Sequence, residues 1–232
     1  KTYTENLLNK KLKKSRLTSE KRDAVLNAIL PTADAEDLQG CDLVIEAVFE
    51  DRALKAKVTQ EAEAQIGASA IFASNTSTLP ITGLAEASQR PDNFIGLHFF
   101  SPVDKMPLVE IICGERTSDE TLAKAYDYVL QIGKTPIVVN DSRGFFTSRV
   151  FGTFANEGMA MLSEGIPAAA IENGAFLAGF PVGPLAVTDE VSLSLIEKIR
   201  NQTIKDMLAE GKASAEHPAD SVVDRMLEEK RA

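Results

Sequence analysis

The stretch CDLVIEAVFEDRALKAKVTQEAEAQIGASAIFASN, residues 41–75, decides the fold. Its two ends, CDLVIEAV (41–48) and AIFASN (70–75), are short apolar runs of the kind that form buried parallel strands. Between them, residues 50–67 predict a helix that ends at Gly67. A strand, a helix and a second strand joined by short connections predict a βαβ unit, the building block of a parallel sheet covered by helices.

The same alternation continues along the chain. Two polar helices are predicted first, at 4–15 and 19–30, and the later pattern predicts strands at 94–100, 107–114 and 135–141 with helices at 78–88 and 118–133. We therefore predict an α/β fold with a doubly wound, Rossmann-like sheet.

The pattern changes after Asp141, where helical spacing replaces the alternation. Helices are predicted at 144–165, 166–179 and 180–211. The charged segment 212–232 is predicted to be a helix end or a loosely held tail. We predict two domains: an α/β domain over 1–141 and an all-α domain over 142–232.

Composition excludes several functional classes. The net charge of −9 argues against a general nucleic-acid binder. Eight Lys and Arg between Lys1 and Arg22 predict a solvated helix face or a local attraction for the phosphates of a ligand. The two cysteines make no disulfide framework, no Cys/His cluster predicts a metal site, and no apolar run is long enough to span a bilayer.

Several residues lie at the ends of the predicted strands, where such sheets bind ligands. They are Glu46, Ala47, Val48 and Glu50 after the first strand, Asn75, Thr76 and Ser77 after the second, and His98 and Ser101 after the third, with Glu110 on the fourth. Helix capping is the alternative for Asn75 and Ser77. For His98, in GLHFFSP (96–102), the alternatives are a hydrogen-bonded core histidine and a general base.

Several motifs agree in order and spacing with one known family. ASNTSTLPI, GLHFFSPV, MPLVEII and FPVGPLAVTDEVSL closely resemble the L-3-hydroxyacyl-CoA dehydrogenases over roughly residues 20–195. The segment SRGFFTSRV…NEGMAMLSEG is most similar to the dehydrogenase part of the multifunctional fatty-acid oxidation α subunits.

The resemblance implies a fold, a reaction and partners. The family joins a Rossmann-like NAD-binding domain to a helical substrate or dimerisation domain, and it oxidises 3-hydroxyacyl-CoA to 3-ketoacyl-CoA with NAD. It implies an acyl-CoA substrate and either a homodimer or an α subunit assembled with a thiolase β subunit. The expected location is the cytoplasm in a bacterium, or the mitochondrion or peroxisome in a eukaryote.

The resemblance also assigns residues. His98 matches the catalytic histidine, Glu110 matches its carboxylate partner, and Ser77 matches a serine near the substrate hydroxyl. The matched NAD-contacting positions are Ala47, Glu50, Lys55 and Ser77, and we assign Ser101 to the same cofactor site. An exposed helix start is the alternative for Glu50 and Lys55, and His217 is expected to be simply exposed.

Two features depart from the family pattern. Ser148 stands where the family commonly has an asparagine that contacts the substrate, so that contact is altered or bridged by water. No two of the 14 glycines are spaced as G-x-G, the start of the turn that holds a dinucleotide pyrophosphate. We therefore expect the chain to lack the first two strands and this turn, and a polypeptide of these residues alone to be inactive.

Two other functions stay open. One is another NAD-dependent hydroxyacid dehydrogenase with a lysine base on the helical domain, against which the pairing of His98 with Glu110 argues. The other is a non-catalytic fragment that serves as an assembly or dimerisation surface.

Overall fold

A five-stranded sheet organises the first part of the computed structural model, which describes residues 1–209, 211, 213 and 216–231. The chain divides into two compact units, Lys1–Asp141 and Ser142–Ala232. The strands of the first unit are β1 (Leu43–Glu46), β2 (Ile71–Ser74), β3 (Phe94–Phe99), β4 (Leu108–Cys113) and β5 (Thr135–Asn140), and they lie in that order across the sheet.

The strand directions set the geometry of the sheet. Strands β1, β2 and β3 run parallel to one another, β4 runs antiparallel to β3, and β5 runs parallel to β4. The helices of this unit are α1 (Thr2–Lys13), α2 (Ser19–Asn27), α3 (Arg52–Glu63), α4 (Ile81–Ala85) and α5 (Asp119–Gln131), with short 3₁₀ turns at Ala35–Leu38 and Pro91–Asn93. The predicted Rossmann-like α/β sheet is confirmed.

Alternation along β3 and β4 divides their side chains between two faces. Ile95, Leu97, Val109 and Ile111 point into a core that includes Ala125 and Val129 of α5. The intervening residues of both strands point to the opposite face, where α4 packs against them. His98 and Glu110 lie on this second face and are directly paired across the two strands.

The second unit is helical. Its helices are α6 (Thr147–Ser163), α7 (Ala168–Leu177), α8 (Pro184–Val191), α9 (Leu193–Ala209) and α10 (Pro218–Glu228). A Cβ at Gly158 would lie 2.5 Å from the ring of Pro184, so α6 and α8 approach each other closely at this glycine. Met159, Leu193, Ala219 and Val223 form the core of this unit.

Two predictions about this part of the chain are wrong. The helix predicted over 180–211 is two helices, because Ser192 has a φ of 73° and ends α8; residue 210 lies outside the described residues. The segment predicted to be a helix end or tail contains α10, although residues 212, 214, 215 and 232 also lie outside the described residues.

His217 caps α10 and is only partly exposed. Its Nδ1 accepts a hydrogen bond from the backbone N–H of Ala219 at 3.2 Å, and the Asp220 carboxylate accepts one from the His217 N–H at 2.9 Å. Pro218 at the first helical position completes the start signal.

The close approach at Gly96 generates a stability prediction. A Cβ at this position would lie 2.8 Å from Ile81 Cδ1 and 2.9 Å from Ile112 Cβ, so an added methyl group overpacks the contact between β3 and α4. We expect Gly96→Ala to lower the free energy of unfolding by about 1–3 kcal/mol in urea titrations. Gly67→Ala is the control, because open space surrounds that position. Equal effects of the two substitutions would contradict the packing explanation.

Candidate active site

A buried histidine–carboxylate pair lies at the centre of the candidate site. His98 Nδ1 lies 2.7 Å from Glu110 Oε2. His98 is 7% exposed and Glu110 is fully buried. The pair arises from sheet geometry, since directly opposed residues of antiparallel strands hold their side chains about 4.5–5.5 Å apart at Cβ. The ring of Phe100 packs against the imidazole at 4.4 Å between centroids.

This contact determines which ring nitrogen can act on a ligand. When Glu110 is ionised it only accepts hydrogen bonds, and His98 then donates its Nδ1–H to it. The neutral ring then carries its lone pair on Nε2. The arrangement can take up a proton at Nε2, and the resulting imidazolium is stabilised by the adjacent Glu110 charge.

The loop after β2 is tied to the histidine strand. Asn75 Oδ1 accepts a hydrogen bond from the backbone N–H of Phe99, the residue after His98, at 2.8 Å. The capping alternative is wrong for Asn75, because its Oδ1 binds the Phe99 N–H and Asp141 binds the N-terminus of α4. The Asp141 carboxylate accepts from the N–H groups of Ile81 and Thr82, both at 2.8 Å.

Glu50 organises the loop at 76–78 from the neighbouring strand end. Its Oε1 accepts hydrogen bonds from Thr76 Oγ1 at 2.6 Å, from Thr78 Oγ1 at 3.0 Å, and from the N–H groups of Ser77 and Thr78 at 3.1 Å. Ser77 Oγ lies 3.5 Å from the same oxygen. The structure therefore brings Glu50 and Ser77 together.

The pKa of Glu50 reflects this environment. Burial raises the pKa, but the hydrogen bonds from Thr76 and Thr78 and the positive charge of Lys55 outweigh burial, and the net effect lowers the pKa of Glu50 below its ordinary range. Glu50 is thus held as an anion at neutral pH.

Lys55 is buried, so the exposed-helix alternative is wrong for it. Its side chain is 3% exposed, and Nζ lies 2.9 Å from Glu46 Oε1 and 3.4 Å from Glu50 Oε2. Glu50 itself is more exposed than Lys55, and Ala47 is exposed as well.

Two further residues were assigned to the site. Ser101 is exposed in the turn after β3. Ser148 belongs to the second unit and lies half-buried in the first turn of α6.

Sequence reasoning missed the roles of Glu46 and Asp141. Glu46 was noted only as a strand-end residue, yet its carboxylate is buried against Lys55 and Ser74. An acidic residue that ends an apolar strand, followed nine positions later by a lysine on the next helix, was the available signal. Asp141 directly follows β5 and gave no comparable signal, because the α4 backbone it binds lies about sixty residues earlier.

Other site types find no support in the described part of the chain. Across residues 1–209, 211, 213 and 216–231, no group of three or more metal-ligating side chains comes together. Over the same residues, no helix has the length and apolarity needed to cross a membrane.

Family models match nearly the whole chain. Residues 1–142 match the NAD binding domain of 3-hydroxyacyl-CoA dehydrogenase, and residues 144–232 match its C-terminal domain.

Known proteins agree with this match. The alpha subunits of the fatty acid oxidation complex from Shewanella amazonensis and Shewanella halifaxensis are 42% and 44% identical over 92% and 85% of the chain. The chain spans only 30% and 28% of the lengths of these two curated relatives.

Solved structures with the same fold carry related names. The crystal structure of (S)-3-hydroxybutyryl-CoA dehydrogenase PaaH1 from Ralstonia eutropha is 35% identical, with a TM-score of 0.81 over 89% of this chain and 78% of that one. FadB2 from M. tuberculosis is 28% identical, with a TM-score of 0.82 over 97% and 79% of the two chains. From its sequence motifs, its sheet and both matched domains, the chain belongs to the 3-hydroxyacyl-CoA dehydrogenase family of NAD-dependent oxidoreductases.

Proposed function

We propose that the protein oxidises L-3-hydroxyacyl-CoA to 3-ketoacyl-CoA with NAD in fatty-acid β-oxidation, and that His98 is the general base. The single observation that carries this proposal is the buried contact of 2.7 Å between His98 Nδ1 and Glu110 Oε2. A neutral imidazole held in one tautomer by a carboxylate is suited to removing a hydroxyl proton at neutral pH.

Residues of this chain carry out the proton transfer of the reaction. When bound, NAD accepts the hydride that leaves the carbinol carbon. His98 Nε2 takes the proton of the substrate hydroxyl, so that the oxygen becomes a carbonyl oxygen rather than a protonated one. Glu110 keeps Nδ1 protonated and stabilises the imidazolium that forms, an arrangement that contributes about 10²–10⁴-fold to the rate.

Two serines complete the substrate site in this proposal. Ser77 hydrogen-bonds the reacting oxygen, supported by its place on the loop that Glu50 and Asn75 hold beside β3. Ser148 contacts the substrate from α6, with a shorter side chain than the asparagine of the resembling family.

The cofactor site in this proposal consists of Ala47, Glu50, Lys55, Ser77 and Ser101. Hydroxyl groups donate and accept hydrogen bonds and the Glu50 carboxylate accepts them, which fits the ribose and nicotinamide of NAD. A phosphate would instead require cations or helix N–H groups, and the Lys55 ammonium is already occupied by Glu46 and Glu50. The residues present therefore fit the nicotinamide half of the cofactor.

Assembly and location belong to the same proposal. Because the relatives are named as alpha subunits of a complex, we propose that the protein assembles as an α subunit with a thiolase β subunit, or as a homodimer. The bacterial origin of these relatives favours a cytoplasmic location.

The base assignment predicts a loss of turnover without a loss of binding. In the full-length protein, His98→Gln removes the proton acceptor but retains a hydrogen-bonding side chain of similar length. We expect turnover of a 3-hydroxyacyl-CoA to fall by about 10²–10⁴-fold, with the NADH dissociation constant within about twofold of the wild-type value. Steady-state kinetics and NADH fluorescence titration measure the two quantities.

The other histidine of the chain is the matched control. His217→Gln alters a helix cap, which costs about 0.5–2 kcal/mol of stability, and leaves turnover intact. Near-wild-type turnover of His98→Gln, or a loss of turnover that matches its loss of thermal stability, would contradict the base assignment. A wild-type protein that binds no NADH would support an assembly surface instead.

The lowered pKa of Glu50 predicts a pH-dependent stability difference. A carboxyl group whose folded pKa lies below the unfolded value, about 4.3, stabilises the fold above that pH, and this contribution is lost as pH falls through the folded pKa. We expect wild type to be more stable than Glu50→Gln at neutral pH and the difference to shrink below about pH 4, as measured by urea unfolding. The control is Glu61→Gln on the exposed face of α3, and a pH-independent difference for Glu50→Gln would contradict the prediction.

A further inference from the structure

We propose that Glu46 is a positioning residue for the cofactor site, acting through Lys55 and Glu50 on the loop at 76–78. This inference rests on the proposed function, because it assumes that Glu50 and Ser77 contact NAD. It is based on a series of contacts within the first unit that runs from the buried Glu46 carboxylate through Lys55 and Glu50 to the loop at 76–78.

Three segments converge on the Glu46 carboxylate, whose side chain is 2% exposed. Lys55 of α3 donates to both oxygens, at 2.9 Å and 3.1 Å. The backbone N–H of Val48 donates to Oε2 at 3.0 Å, and the hydroxyl of Ser74 at the end of β2 donates to Oε1. Glu46 therefore joins the end of β1, the following turn, α3 and β2 at a single point.

Lys55 transmits this arrangement to the exposed part of the site. Its Nζ also donates to the Val48 carbonyl at 3.3 Å and lies 3.4 Å from Glu50 Oε2. Glu50 uses its other oxygen to hold the loop at 76–78. The Lys55 ammonium therefore lies between the buried carboxylate of Glu46 and the more exposed carboxylate of Glu50.

The negative charge of Glu46 fixes the position of the Lys55 ammonium. With a neutral amide at position 46, the nearest anion to Lys55 is Glu50, so Nζ moves toward it and draws its carboxylate away from Thr76 and Thr78. The loop that carries Ser77 then loses its anchor, whereas the contact between His98 and Glu110 lies on other strands. We therefore expect weaker cofactor binding with little change in the chemical step.

The test compares two buried glutamates, Glu46 before α3 and Glu63 at its last position. Glu46→Gln removes the anchoring charge, and Glu63→Gln changes a buried carboxylate at the far end of the helix, where it accepts from Ser88 Oγ and the Gln89 N–H. In the full-length protein we expect Glu46→Gln to raise the NADH dissociation constant and the KM for NAD by about tenfold, with kcat within about twofold. Glu63→Gln should lower the melting temperature and leave the dissociation constant within about twofold.

A second variant keeps the proposal testable if Glu46→Gln does not fold. Ser74→Ala removes one donor to Glu46 and leaves all charges in place, and we expect it to raise the NADH dissociation constant by about threefold. An unchanged dissociation constant in folded Glu46→Gln overturns the proposal, as does one in Ser74→Ala when Glu46→Gln is unfolded. An equal rise in Glu63→Gln also overturns it. Failure of the wild-type protein to bind NADH would instead overturn the proposed function on which this inference rests.

Discussion

The antiparallel pairing of β3 with β4 is the constraint on which the candidate site depends. All other strand pairs in the sheet are parallel, and this one antiparallel pair places Glu110 directly opposite His98. The face they share is buried, so the carboxylate and the imidazole interact in surroundings where water screens them little. Gly96, two residues before His98, lets α4 cover that face closely. The backbone register therefore sets the contact between His98 and Glu110 without any ligand.

Carboxylates play a second, structural part in the first unit. Glu46 accepts hydrogen bonds from several segments, Glu50 joins the loop at 76–78 to Lys55, and Asp141 binds the start of α4, so each connects elements that are far apart in the chain. Burial of a carboxylate is unfavourable unless several donors or a cation compensate it. Here the compensation comes from loop N–H groups, hydroxyls and Lys55, so the same contacts that satisfy the charges also fasten the loops. Mutating one of these carboxylates should consequently alter the geometry of the loops it joins.

The sequence predicted the strands and most helices well, because apolar runs and helix caps are local signals. The apolar run that became β4 carries no sign of its direction, so the opposition of His98 and Glu110 came only from the family resemblance. The contacts of Glu46 and Asp141 depend on which strands are neighbours, which a single sequence does not specify. The end of α8 at Ser192 was missed because the apolar spacing continues across it. Helix α10 was missed because its charged surface resembles a tail, and its start is signalled only by His217 and Pro218.

We propose that Glu110 fixes the tautomer of His98 so that Nε2 is the base. Nitrogen NMR of the protein labelled with ¹⁵N-histidine tests it most directly, with the His98→Gln spectrum identifying the signals of this ring. At a pH where the ring is neutral, we predict a proton on Nδ1 and none on Nε2, and a loss of this preference in Glu110→Gln. A neutral His98 ring protonated at Nε2 in the wild-type protein would contradict the account.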